Sequence, residues 1–237
     1  MILKQTKDSI YKEQYNDFYK KGGCVEFVVF ENFEVADAYT KHLEVAKNVL
    51  IQNCTDWEKD FINLDAEDEK SLEKIYPSYF DLAILKPSGK QISVTEFFGP
   101  YYDFQKNKVL LRGVQHFLNS VFVYDDPEGM GYHINDQELR KTRGYQSSEY
   151  ISCGFCDAFL DPPHSLGIGK TIKERGQYFM DFIESFFLDI HQLEIYSWSV
   201  DSSDYFEMGK EWWGSFFWTV YNPVKNIYIG IIASTTD

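Results

Sequence analysis

The sequence predicts an α+β fold with an antiparallel or mixed β-sheet. The first indication is a pair of segments, 215–221 and 226–234, that are rich in β-branched and aromatic residues. They flank a break at 222–226 that contains Pro223 and two asparagines, a composition typical of a β-hairpin turn. Both segments are apolar at nearly every position, as strands covered on both faces are. We therefore expect this C-terminal β-hairpin to lie in the core.

The second indication is a long amphipathic helix predicted over 171–192. Its apolar side chains recur at helical spacing, and its polar residues lie largely off that stripe. The stripe consists of Phe179, Phe182, Ile183, Phe186, Phe187, Ile190 and Leu193. We expect this helix to pack across the sheet.

The third indication is the order of the remaining elements, which does not alternate as regular βαβ units do. Helices are predicted over 5–20 and over 34–52, the latter with Asn32 as its candidate cap. A strand over 24–30 separates them, and a second hairpin is predicted from 79–85 and 91–97. Further strands are predicted over 121–124, 149–156 and 194–200, short helices over 135–141 and 204–213, and either state over 109–118.

The 237 residues contain no long linker, internal repeat or low-complexity tract. Hydrophobic residues make up 44% of the chain and aromatic residues 18%, which suffices for a sizeable core. We expect a single α+β domain over 1–237, with residues 1–76 as a helical N-terminal lobe in the alternative arrangement.

The net charge of −14 disfavours binding to nucleic-acid phosphates and to anionic membranes, both of which need a basic surface. It favours a basic partner steered by long-range attraction. The alternative interpretation is that the acidity only keeps a bacterial cytosolic protein soluble.

The first residues turn polar at once, no stretch is long and apolar enough to span a membrane, and the four cysteines are too few for a disulfide scaffold. These features predict a cytoplasmic protein with reduced thiols.

Carboxylates are concentrated in two segments, 56–73 and 201–211; Trp57 lies in the first, and Trp212 and Trp213 directly follow the second. Such a combination can bind a basic protein, a cation or a sugar, and paired carboxylates can do acid–base chemistry. The alternative is that the acids are solvated and the tryptophans belong to the core. The candidate binding residues are Trp57, Asp65, Glu67, Asp68, Asp201, Asp204, Glu211 and Trp212.

Cys153 and Cys156 have the spacing of a redox or metal motif. A strand over 149–156 would direct the two thiols to opposite faces, and the residues that follow form a poor helix. His164 and His133 could serve as the third and fourth zinc ligands, but their spacing from the cysteines is not that of a zinc motif. We therefore interpret Cys153 and Cys156 as structural and expect no metal.

The segment 167–171, Gly-Ile-Gly-Lys-Thr, is similar to the end of a phosphate-binding loop. His164 stands where that motif needs its first glycine, and prolines precede it instead of a strand. The alternative interpretation of this segment is a glycine-containing loop that precedes a helix, with Thr171 as the helix cap. We expect no nucleotide and no other cofactor.

These observations favour a non-enzymatic, acidic interaction protein, such as an inhibitor or an immunity-type protein that binds a basic partner. Two alternatives place a site near His164 or in the segment from Asp201 to Glu211. One is a hydrolase-like enzyme, and the other is a small-molecule binding module. The catalytic residues of such an enzyme are not identifiable from the sequence.

Overall fold

The computed structural model describes residues 3–34, 37–61, 88–111, 131–133, 154–163, 166–169, 172–210 and 213–235. Helices and a mostly antiparallel sheet both occur, so the predicted α+β class is confirmed. The chain divides into two compact units. The first unit comprises Met1–Tyr11, Val25–Ile92 and Gln192–Asp237, and the second comprises Lys12–Cys24 and Ser93–His191. The single domain, with or without a helical lobe over 1–76, stays a prediction.

A five-stranded antiparallel sheet forms the centre of the first unit. Its strands, from one edge to the other, are β1 (Val25–Glu31), β8 (Ile227–Ser234), β7 (Ser215–Asn222), β6 (Glu194–Trp198) and β2 (Gly89–Ile92). The C-terminal hairpin of β7 and β8 therefore occupies central positions, as its unbroken apolar pattern predicts.

The hairpin turn is stabilised by its two asparagines. The Asn222 side chain accepts hydrogen bonds from the backbone amides of Val224 and Lys225, at 3.0 Å and 3.1 Å. Asn226 adopts a left-handed conformation with φ 53°, which asparagine tolerates better than most residues. The register then pairs Asn222 with Ile227 and continues to Ser215 opposite Ser234.

The helix α2 (Ala38–Phe61) packs on this hairpin and on β1. Its buried face contributes Ala46, Val49 and Leu50 to a cluster with Phe217 and Ile232 of the sheet. The helix begins after Asp37, whose carboxylate accepts a hydrogen bond from the Thr40 amide at 2.9 Å. Asn32, the expected cap, instead bonds the Phe33 amide and the Asn226 side chain.

The helix α1 (Ser9–Lys20) begins later than predicted because residues 4–6 pair with the outer edge of β1. The Thr6 amide donates to the Val29 carbonyl at 2.9 Å, and the Glu31 amide donates to the Lys4 carbonyl at 2.9 Å. This pairing covers part of a sheet edge that would otherwise present unpaired backbone groups.

The second unit contains a three-stranded sheet and short helices. Its elements are α3 (Val94–Phe98), β3 (Tyr102–Asp103), β4 (Lys108–Leu111), β5 (Gly131–His133), α4 (Phe155–Leu160) and α5 (Ile172–Phe187). The sheet order is β3-β4-β5, with β4 and β5 parallel, and α5 lies along β4 and β5. The helix predicted over 171–192 thus belongs to this unit, and α2 is the helix that packs on the C-terminal hairpin.

Phenylalanine rings fill the core of the second unit. Phe18 stacks on Phe159 with ring centroids 4.1 Å apart, Phe97 stacks on Phe155 at 4.9 Å, and Phe182 stacks on Phe186 at 4.6 Å. All but Phe182, which is 3% exposed, are completely buried. Bulky rings from α1, α3, α4 and α5 therefore pack these helices together beside the three-stranded sheet.

Several predicted boundaries are wrong. Residues 94–98 form α3 instead of the second strand of a hairpin, because Ser93 and Glu96 make a capping box. Residues 155–160 form α4 instead of the end of a strand. The long helix ends at Phe187, since Leu188 takes a positive φ of 62°, and a 3-10 turn (Ile190–Gln192) follows.

The helix predicted over 204–213 is divided into a 3-10 turn (Asp204–Phe206) and α6 (Glu207–Lys210). Another 3-10 turn, Val200–Ser202, follows β6. The predicted elements over 79–85, 121–124 and 135–141, and most of 109–118, lie outside the described residues.

Candidate functional site

Two adjoining clefts in the second unit share Tyr178 and Asp181 of α5. The first has a volume of about 370 Å³ and is also lined by Glu13, Gln14, Asp17, Phe182 and Ser185. The second has a volume of about 580 Å³ and is also lined by Lys21, Ile168, Gly169, Glu174 and Gln177. We call these two depressions the Tyr178 clefts.

Helical spacing brings the lining side chains together. On α1 and just beyond its end, Glu13, Asp17 and Lys21 are four residues apart and share one face. On α5, residues 174, 178, 181 and 185 follow the same three- and four-residue spacing. Phe182 lines the first cleft and belongs to the phenylalanine core. The site is therefore supported by two helices and a rigid apolar cluster.

Asp17 organises the polar contacts between the two helices. Its carboxylate pairs with the Lys21 ammonium and accepts a hydrogen bond from the Tyr178 hydroxyl at 3.0 Å. Lys21 Nζ also lies 5.3 Å from the centroid of the Tyr178 ring, a cation–π contact. The hydrogen bond from Lys21 lowers the pKa of Asp17, while burial and then the bond to Asp17 raise the pKa of Tyr178. At neutral pH the site thus contains a carboxylate beside an uncharged phenol.

The clefts have an excess of negative charge. Among the lining residues that the structure describes, Glu13, Asp17, Glu174 and Asp181 are acidic, and Lys21 is the one cation. Gln177 Nε2 donates to Asp181 Oδ1 at 2.6 Å, which orients that carboxylate. An ammonium or guanidinium group would find carboxylate acceptors and an aromatic ring here, because Lys21 already makes both kinds of contact.

The predicted segment 201–211 presents less charge than its composition indicates. Lys210 Nζ lies 2.7 Å from Asp201 Oδ1 and 2.6 Å from Glu207 Oε1. The hydrogen bond from Lys210 lowers the pKa of the exposed Asp201. Asp204 is partly buried in a 3-10 turn that Ser203 caps, and the aromatic Tyr205 and Phe206 point into the core. These two rings belong to the core, whereas the interpretation of Trp212 as a core residue is not tested, because Trp212 lies outside the described residues.

The other candidate residues are only partly described. Trp57 lies in the last turns of α2, where the backbone alone is described. Asp65, Glu67, Asp68, Glu211 and Trp212 lie outside the described residues, and so does His164. A site made by the two predicted acidic segments therefore stays a prediction.

Cys156 lies in the first turn of α4, not in a strand as predicted. Its sulfur is 3.4 Å from the Tyr101 carbonyl, and complete burial raises the pKa of the thiol. The side chain is thus a neutral buried thiol at physiological pH, whereas Cys153 lies outside the described residues. Within the described ranges, no group of three or more His, Cys, Asp or Glu side chains is arranged to hold a metal ion.

The first unit contains a row of polar groups that the sequence does not reveal. Thr219 Oγ1 lies 2.7 Å from His42 Nδ1, and His42 Nε2 lies 3.7 Å from Glu194 Oε1. A hydroxyl, an imidazole and a carboxylate in this order can activate a nucleophile, but Thr219 and His42 are both 0% exposed and no substrate reaches them. Their positions on α2, β6 and β7 are far apart in sequence, so no local motif signals the row.

Over the described part of the chain, every helix is too short or too polar to cross a membrane. Comparisons with protein-family models, with curated proteins and with solved structures find no match.

Proposed function

We propose that this protein is a non-enzymatic, cytoplasmic interaction protein that binds a basic protein partner, as an inhibitor or an immunity-type protein does. The observation that carries the proposal is the excess of carboxylates around the Tyr178 clefts. The net charge of −14 supports it, because a strongly acidic protein attracts a cationic partner over long distances.

The clefts combine two features that protein interfaces use. Carboxylates at the rim accelerate association and select a partner of opposite charge. Aromatic and apolar groups at the centre, here Tyr178 and Phe182, supply affinity when a partner side chain covers them. A basic side chain of the partner would enter the first cleft, which Glu13, Asp17 and Asp181 line.

The experiment compares two variants with the same charge change. Asp181→Lys reverses an exposed carboxylate that lines both clefts, and Glu34→Lys reverses an exposed carboxylate that lines neither. Each immobilised variant and the unmodified protein is exposed to an extract of the native host, and the retained proteins are identified by mass spectrometry. We expect one basic protein to be retained by the unmodified protein and by Glu34→Lys, and to be lost with Asp181→Lys.

The association rate of the purified partner should then fall steeply as salt rises through roughly 0.1–0.5 M, where screening shortens the range of electrostatic attraction. A rate that ignores salt, or an extract that yields no basic partner, would contradict the proposed function. Equal retention by both variants would remove the clefts from the interface. Charge reversal at Asp65, Glu67 and Asp68 would then test the other acidic segment.

A further inference from the structure

His42 is a completely buried ionisable residue that partner binding at the Tyr178 clefts does not use. It lies near the start of α2, on the face that packs against the five-stranded sheet. Its ring centroid is 4.4 Å from that of Tyr196 on β6 and 5.3 Å from that of Tyr228 on β8. The imidazole is therefore part of the contact that holds α2 on the sheet.

One ring nitrogen of His42 has a partner and the other has none. Nδ1 lies 2.7 Å from Thr219 Oγ1, and the same oxygen accepts a hydrogen bond from Trp198 Nε1 at 2.9 Å. Because the indole N–H can only donate, we assign the hydroxyl proton of Thr219 to the bond with Nδ1. This leaves a neutral imidazole with its proton on Nε2, and that buried atom has no hydrogen-bond partner.

The charged surroundings of His42 offer little compensation for a positive charge. In the part of the chain that the structure describes, β6 contributes Glu194 and Tyr196, β8 contributes Tyr228, and the start of α2 contributes Asp37 and Tyr39. Burial raises the pKa of Tyr196 and of Tyr228, so both stay uncharged near neutral pH. Asp37 is exposed at the protein surface.

Glu194 is the carboxylate nearest to the ring. Its Oε1 lies 3.7 Å from Nε2, too far for a hydrogen bond, and its side chain is 31% exposed to screening water. An imidazolium in this position would lose its hydration and gain no hydrogen bond from Nε2 in return.

We propose that His42 is an acid-sensitive latch between α2 and the five-stranded sheet. Its neutral ring closes the contact, and mild acid favours a state in which α2 has moved away from β6, β7 and β8 and the charged ring is hydrated. The latch is a property of the first unit and is independent of the proposed function.

The direction of the effect follows from the two protonation equilibria. Burial lowers the pKa of His42 in the closed state to about 3, against 6.5 for a solvated histidine. Between these values the opened state binds a proton that the closed state does not. The closed state therefore has its full stability above about pH 6.5 and loses it as the pH falls, and the opening equilibrium constant rises up to about tenfold per pH unit.

Amide hydrogen exchange along α2 measures this opening directly. The exchange of residues 42–50 is followed between about pH 7 and pH 5, corrected for the intrinsic rate, in the unmodified protein and in His42→Gln, which cannot take up a proton. His191→Gln is the matched control, because His191 is exposed. We expect the opening constant to rise about threefold from pH 7 to pH 6 and about eightfold from pH 6 to pH 5 in the unmodified protein and in His191→Gln. This histidine contribution should vanish in His42→Gln.

Nitrogen-15 spectroscopy of the imidazole rings provides a test that needs no variant. We expect His42 of the folded protein to remain neutral, with its proton on Nε2, at about pH 5. An imidazolium at His42 in the folded state would overturn the proposal, and so would a pH slope that is equal in the unmodified protein and His42→Gln. The pH dependence of the opening constant should persist in Glu194→Gln. If the pH dependence is lost in that variant, it belongs to Glu194 and the latch is overturned.

Discussion

The first unit holds its elements together through a regular antiparallel sheet, whereas the second unit holds short helices together through interlocking phenylalanine rings. In the first unit, β8 pairs with β7 along its whole length and with β1 on its other side. In the second unit, the single ring of Phe159 contacts rings of three helices, α1, α4 and α5. A chain rich in aromatic residues thus builds its two cores from different kinds of contact.

The difference has energetic consequences. Strand pairing in a sheet is collective, since removing a central strand leaves one backbone edge of each of its two neighbours unpaired. Ring packing is more nearly local, because each ring contributes its own buried area and its own contacts. We therefore expect the first unit to fail as a whole when a strand is lost and the second to weaken in proportion to the volume removed.

The largest effect should follow from removing β8. Deletion of 226–237 takes away the strand between β1 and β7 and leaves the facing backbone edge of each unpaired. We expect a chain that is insoluble or that shows no cooperative thermal transition by circular dichroism. A soluble truncated protein with a cooperative transition would show that the sheet does not depend on its central strand.

A smaller effect should follow from truncating one ring of the second unit. Phe159 is completely buried and lies within 4.7 Å of Phe182, measured between ring centroids. Phe159→Ala should reduce the free energy of unfolding by about 3–5 kcal/mol, measured by denaturant titration, because a cavity replaces the ring. Tyr19→Ala is the control, since Tyr19 is 66% exposed and its loss should cost less than about 0.5 kcal/mol. Equal losses in the two variants would contradict the role of the ring cluster.

The smallest effect concerns the fit of α2 on the sheet. A Cβ atom at Gly230 of β8 would lie 2.7 Å from Val49 Cβ of α2, far inside normal contact distance. Gly230→Ala should therefore lower the free energy of unfolding by about 1–3 kcal/mol, because helix and strand must move apart. Gly167→Ala is the matched control. Its added Cβ meets no atom closer than 3.5 Å, so the same measurement should find a neutral or slightly stabilising change.

The sequence predicts the first unit better than the second, for the same physical reason. The segments that become β7 and β8 show the apolar pattern and turn residues that a buried hairpin requires. The predicted first and last residues of each strand agree with the structure within one residue. The phenylalanine stripe predicts the helix α5, but no sequence pattern indicates that its rings pack on rings of α1, α3 and α4. The helix α3 is an exception that could have been found, since Ser93 and Glu96 have the spacing of a capping box.

The candidate site was only indirectly predictable. The acidic composition favours a basic partner, but the Tyr178 clefts depend on α1 and α5 meeting across 161 residues, as the bond from Tyr178 to Asp17 shows. The acids of the segment 201–211 stand beside aromatic residues, which makes it a candidate interface. Composition could not show that Lys210 pairs with two of those acids and that Tyr205 and Phe206 face inward.

The pairing of β1 with β8 also sets the timing of folding during synthesis. These strands meet where Asn32 donates to Asn226, two residues that are 194 positions apart. The ribosome completes β1 long before it makes β8, so a nascent chain carries β1 and β7 without the strand that joins them. Distant pairings of this kind slow folding and lengthen the exposure of apolar strands. A chaperone that shields β1 until translation reaches β8 would therefore raise the yield of native protein.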